Sequence, residues 1–179
     1  MASILKVNTI QDATNSTTAI SVDTAGRVTT PARPYFLVNT TGTQSTTANS
    51  SATAAVVQFS SVEFNVGSHW STSNHNFVAP VNGIYQFNAM LLLNNVANGD
   101  DEIHVFFQID SSVKNFFARS PGEAANGGAG YGGFLHVQGS ASYYLTANQT
   151  IDIRYRADGG EIGVFGSSTH SHFSGYLVG

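Results

Sequence analysis

Apolar residues recur at every second position through most of this chain. In "IYQFNAMLLL", Tyr85, Phe87, Ala89, Leu91 and Leu93 share one side of an extended strand, opposite Gln86, Asn88 and Met90. "IHVFFQID" sets Ile103, Val105, Phe107 and Ile109 against His104, Phe106 and Gln108, and "TIDIRYRA" turns Ile151, Ile153 and Tyr155 inward with Asp152, Arg154 and Arg156 outward. "YFLVN", "VVQFSSVEFNV", "FLHVQG", "ASYYL", "GVFG" and the closing "THSHFSGYLVG" read as further strands. The turn-forming runs "NNVANGDD", "SPGEAANGGAGYGG" and "ADGG" separate them. No segment carries a helical period. Many short strands with turns between them predict an all-β fold, a two-sheet antiparallel sandwich or jelly roll.

Two segments depart from simple alternation. In the closing strand, parity places Phe173, Gly175 and Leu177 on one face and His170, His172, Ser174, Tyr176 and Val178 on the other. Both faces carry large apolar groups, which suits a strand with the domain core on one side and a neighbouring subunit on the other. The second set is therefore the expected subunit interface. Residues 1–33 form the other departure. "SILKVNTIQ" and "TAISVDTAGRVTT" are short apolar stretches with too little apolar mass to fold alone, and "PARP" at residues 31–34 marks a boundary before the domain of residues 34–179.

Composition narrows the function classes. Only 10% of residues are charged, the net charge is -4 and the pI is about 5.8, so nothing attracts nucleic acid or an anionic membrane. Solubility falls to neutral polar groups, with 20 Ser, 17 Thr and 15 Asn. There is no cysteine, which excludes disulfides and thiolate metal sites. The opening residues read as no secretory signal peptide, and no apolar run approaches the ~18 to 20 residues of a membrane span. The expectation is a protein made in a cytoplasm and not inserted in a membrane.

Candidate chemistry is sparse. Asp100, Asp101 and Glu102 make an acidic cluster, read as a solvated turn or, with hard oxygen ligands, as a calcium site; the spaced D-x-D-x-D-G pattern is missing. His170 and His172 stand two apart, so a strand would present both imidazoles on one face. A metal needs a third ligand, which a threefold axis would supply; otherwise these are interface or edge histidines bonded locally. His69, His75, His104 and His136 are scattered and suggest nothing together. "PGEAANGGAGYGG" lacks the G-K-[ST] ending of a phosphate loop and reads as a long surface loop. Its Tyr131, with Trp70 in "GSHWSTSNHN", is a candidate exposed aromatic for carbohydrate or protein, core packing being the other reading of Trp70. No nucleophile and base, and no paired carboxylates, stand out as catalytic, so no enzyme is expected and no cofactor beyond calcium is considered.

The run "FVAPVNGIYQF", with Phe77, Pro80, Gly83, Tyr85 and Phe87, resembles the F-x-x-P-x-x-G-x-Y-x-F signature of complement C1q-like domains, members of the tumour necrosis factor-like jelly-roll superfamily. "YFLVN", "HVFFQID" and "SASYYLTANQTIDIRY" follow that family's order, and "HFSGYLVG" is similar to its terminal strand. The resemblance covers residues 34–179. It implies a ten-stranded jelly roll, a tight homotrimer with the terminal strand nearest the threefold axis, and binding through loops and trimer surfaces without catalysis. The collagen stalk of the family is replaced by the short N-terminal segment. "SILKVNTIQDATN" resembles the S-I-L-K-V-D-T-I-Q opening of marine tailed-phage fibre and other virion proteins. That implies a virion location, with residues 1–33 as a docking or trimerisation arm toward other virion proteins. The function expected is a trimeric fibre-type protein whose head displays host-surface-binding loops for a glycan or protein. The alternatives are a capsid decoration (cement) protein on the head and a secreted C1q-like carbohydrate- or protein-binding module.

Overall fold

The computed structural model describes residues 6–50, 52–94, 102–121, 133–158 and 161–179; of residues 119–121 it describes the backbone alone. Three antiparallel sheets account for the strands. The arm forms one of them from β1 (Thr9–Gln11), β2 (Thr18–Val22) and β3 (Val28–Thr29). The expected sandwich forms the other two.

The first sandwich sheet is built on β10 (Gly83–Asn94), the longest strand, with its inward residues buried at every second position as the sequence pattern requires. Along one side β10 pairs with β13 (Leu135–Leu145) from Gly83 opposite Leu145 to Leu93 opposite Leu135. Its other side is shared by β16 (His172–Leu177) and β15 (Ile162–Val164). The order then continues from β16 to β4 (Tyr35–Asn39) and β7 (Ser61–Val66), while β5 (Gln44–Thr46) lies beyond β15. The second sheet runs in the order β12 (Ser112–Pro121), β11 (Glu102–Ile109), β14 (Thr150–Asp158), β9 (Asn76–Val78), β8 (Trp70–Ser71), with β6 (Ala55–Val56) also on β14.

Several expectations need correction. "VVQFSSVEFNV" is not one strand: β6 and β7 lie in different sheets, and Phe59 between them is fully buried, so the chain crosses the sandwich edge there. "FLHVQG" and "ASYYL" join into the single strand β13. β12 was hidden because "SSVKNFFARS" alternates poorly. It is an edge strand, reached through a two-residue turn in which Asp110 and Ser111 have φ of 43° and 68°, the left-handed values of a tight hairpin. Asp110 accepts hydrogen bonds from Thr150 N (2.8 Å) and Oγ1 (3.0 Å), and the backbone bond holds its carboxyl below the usual range.

Aromatic rings fill the space between the sheets. Phe36 stacks on Trp70 (5.1 Å between ring centroids) and on Phe77 (5.0 Å), and Phe173 meets Phe36 edge-on at 5.1 Å. Trp70 is 95% covered in this cluster, being 5% exposed, so the core reading holds and its role as a binding-loop aromatic is withdrawn. Gly175 of β16 sits where these rings come closest. A Cβ there would lie 2.5 Å from Phe87 Cδ1 and 2.8 Å from Phe36 Cε1, well inside contact distance. Gly175→Ala is therefore expected to lower the unfolding free energy by about 2 kcal/mol through overpacking, read as a shift in the urea midpoint with unchanged slope.

Candidate functional site: an open sheet face and a covered one

The two sheets differ in what lies on their outer sides. On the second sheet, the residues expected to face water are mostly buried: Phe106 completely, His104 to 3% exposure, with Asp152 and Arg156 also covered. A strap, residues 48–50 and 52–57, runs along the edge of β14 opposite β11 and borders this face. Ala157 N donates to Ala48 O, Val57 N to Ile153 O, Arg156 Nη1 to Asn49 O (3.0 Å) and Arg154 Nη1 to Ala54 O (3.2 Å). Phe116 of β12 closes over Phe106 and His104 from the other side.

Under this cover the fold assembles a group that sequence reasoning missed. Glu102, His104 and Asp158 bring ligand-type atoms within 4.8 Å of one another. They come from paired strands: His104 stands opposite Arg156, and Glu102 opposite Asp158. Strand pairing cannot be read from local sequence, although His104, Arg156 and Asp158 sharing one parity class was a usable hint. Geometrically the trio could hold a cation, yet a cation is already present. Arg156 Nη1 bonds Asp158 Oδ1, and Arg156 Nη2 lies 3.4 Å from His104 Nδ1. Because guanidinium only donates, Nδ1 accepts, and the ring proton sits on Nε2, pointing at Glu102 Oε2 at 2.9 Å. A metal on Nε2 would force that proton to Nδ1, against the guanidinium. The cluster is thus an ion-pair network that pins the strap. Beside it Asp152 pairs with Arg154 (2.9 Å), and burial pushes the Asp152 carboxyl up against the opposing pull of that arginine.

Among the described residues nothing covers the outer side of the first sheet. Its register arranges the outward side chains in rows across β13, β10, β16, β4 and β7: Ser142, Gln86, Tyr176, Tyr35 and Val66, then Ser140, Asn88, Ser174, Leu37 and Phe64, then Gln138, Met90, His172, Asn39 and Ser61. Ile84, Tyr144 and Val178 border the first row. Tyr144 is 63% exposed, and Tyr35, Phe64, Ile84, Tyr176 and Val178 are each more than 40% exposed. Between the tyrosines and Phe64 runs a groove of ≈ 310 Å³, and a second of ≈ 410 Å³ lies beside Leu37, Glu63 and His172. Four of the polar positions bond one another. Gln86 Nε2 donates to Ser140 Oγ (2.8 Å), Ser140 Oγ to Asn88 Oδ1 (2.9 Å) and Ser142 Oγ to Gln86 Oε1 (2.5 Å). Burying such a closed network costs far less than burying unpaired amides.

Of the expected interface residues, His172, Ser174, Tyr176 and Val178 occur on this face. His170 does not belong to the strand. It lies in the preceding turn, where its Nδ1 meets Thr169 Oγ1 (2.8 Å) and Ser167 Oγ (3.1 Å) and its ring packs edge-on to His136. The paired-imidazole metal site from His170 and His172 is therefore withdrawn; partial burial lowers the His172 pKa. Asp100, Asp101 and Tyr131, the remaining loop candidates, lie outside the described residues.

The model of the C1q domain matches residues 36–178. The chain belongs to the C1q domain family. The globular domain of zebrafish complement 1qA is similar over 82% of this chain and 98% of its own, at 15% identity and a TM-score of 0.52. Murine APRIL (9% identity, TM-score 0.55, 82% and 99% coverage) and Eiger TNF from S. frugiperda (10%, 0.54, 82% and 92%) share the fold. No curated protein matches the chain. C1q/TNF-like domains are generally non-enzymatic binding modules, and homologues are typically homotrimers. For the covered face, Arg156→Leu is expected to cost about 1 kcal/mol by leaving the half-exposed Asp158 carboxylate without its cation and the Asn49 carbonyl without its donor. Limited proteolysis checks it, since cleavage within residues 47–57 should accelerate.

Proposed function

We propose that this chain is a non-enzymatic structural protein of a tailed-phage particle, a homotrimeric fibre-type protein whose C1q-like head displays loops to the host surface. The observation that carries the trimer is the open face of the first sheet. It combines exposed aromatics, two grooves and the bonded group Gln86, Asn88, Ser140 and Ser142, on a side left open among the described residues. Three copies closing around an axis would present each loop three times, so weak single contacts act together. The phage placement rests on "SILKVNTIQ" within the sequence of the arm.

Light scattering of the purified chain at micromolar concentration should give three times its 18.9 kDa mass. Tyr176→Asp should dissociate it, because an unpaired carboxylate buried at each contact costs roughly 3 kcal/mol, a hundredfold or more in affinity. A wild-type monomer would sink the trimer.

Location is tested separately by labelling purified particles with antibody to the head. Signal at the tail supports the fibre reading; signal spread over the capsid makes the chain a decoration protein. The likeness to the zebrafish complement domain favours a second reading, a C1q-like binding module for carbohydrate or protein, and particles that carry no copy would leave that reading standing.

A further inference from the structure

The arm sorts its side chains by its register. Ile10 stands opposite Ile20, and Val22 opposite Val28. Residues facing each other across an antiparallel pair lie on the same side of a sheet, and Ile20 and Val22 are two apart on β2, so all four share one side. Thr9, Ser21 and Thr29 take the other. The other described residues leave much of the apolar side uncovered: Ile10 is 49% exposed and Val28 65%, while Ile20 and Val22 are half-buried. Among the described residues no backbone ladder joins the arm to either sandwich sheet. Three strands this short need a covered apolar face to persist in water.

The position of the arm's root indicates the cover. Arg33 Nη2 donates to Val178 O (2.9 Å), and Leu177 N donates to Pro34 O (3.1 Å). The arm therefore leaves from the Tyr35–Tyr176 end of the open face, on a connection, Thr30 to Pro34, that spans at most roughly 20 Å. If that face joins three copies, on which this inference rests, three arms start side by side at high effective concentration. Their charges do not oppose contact. Asp23 is paired to Arg27 within its own turn (2.7 Å), and Asp12 accepts from the backbone of Thr14 and Asn15. We infer that Ile10, Ile20, Val22 and Val28 of each arm pack against the same side of the two sister arms, making a second trimeric layer below the heads. The polar side and the outer strand edges stay outward.

The chain has no cysteine, so single thiols report cleanly. Val28 and Thr29 are neighbours, both exposed in one chain, on opposite sides of the sheet. In the purified full-length protein, Val28→Cys should resist alkylation while Thr29→Cys reacts at the rate of a free thiol, and adding Ile10→Asn should restore the reactivity of Val28→Cys. Light scattering on the same samples separates the two readings. A trimer in which both thiols react alike overturns the arm layer and leaves the head trimer intact. So does a Val28→Cys thiol that is free in the purified trimer and protected only in the particle, since another virion protein would then be the cover. A monomer removes both.

Discussion

Everything in the head depends on how closely the last strand can approach the aromatic core. β16 lies between β10 and β4, so the final residues of the domain complete the hydrogen bonding of two strands that are far apart in the chain. Phe36 of β4, Phe87 of β10 and Phe173 of β16 converge at that junction, and Gly175 provides the space their rings occupy. A larger residue would push β16 outward and loosen both ladders together. The strand that joins β10 to β4 in the core thus also joins them on the outer face of the first sheet.

That coupling explains why the outside is as ordered as the inside. Alternation fixes which residues of β10, β16 and β4 turn outward once their partners turn into the core. The register then brings Gln86, Asn88, Ser140 and Ser142 near enough to satisfy one another, although they come from strands more than fifty residues apart. The contrast with the second sheet is informative. There the outward residues include arginines, a histidine and carboxylates whose burial demands close pairing of charge; β11 and β14 supply the charges between them, and the strap adds the carbonyls of Asn49 and Ala54. On the first sheet the outward residues are mostly apolar or neutral, and Gln86, Asn88, Ser140 and Ser142 bond one another. Such a surface loses little when water leaves it and gains from the burial of Tyr35, Phe64, Tyr144 and Tyr176.

The sequence disclosed these features unevenly, for physical reasons. Long alternating strands such as β10 and β14 were legible because a half-buried strand prints its environment directly into residue parity. The two faces of the tail were legible in the same way, since Phe173 and Gly175 alternate with Ser174 and Tyr176. β12 was not, because an edge strand carries fewer inward constraints, and its Lys114 and Asn115 break the pattern. Trp70 was ambiguous because a two-residue strand is too short to show parity. The histidines misled in both directions. Spacing linked His170 to His172, but a turn at Ser168 to His170 removes the first from the strand. His104 looked isolated, because its partners Arg156 and Asp158 reach it only through a ladder between residues some fifty positions apart.

The arm follows the same logic at smaller scale. It has one apolar side, as each sheet of the head does, but too few residues to fold a second sheet over it. Within one chain, residues 48–50 and 52–57 border the edge of β14, and Phe116 packs on His104 and Phe106 of β11. Among the described residues no comparable segment covers Ile10 and Val28, nor Tyr35 and Tyr176. Both exposed surfaces meet near Arg33 and Pro34, where arm and head join. An assembly that covers one therefore brings copies of the other into reach, and the entropy of association, spent once at the head, need not be spent again at the arm.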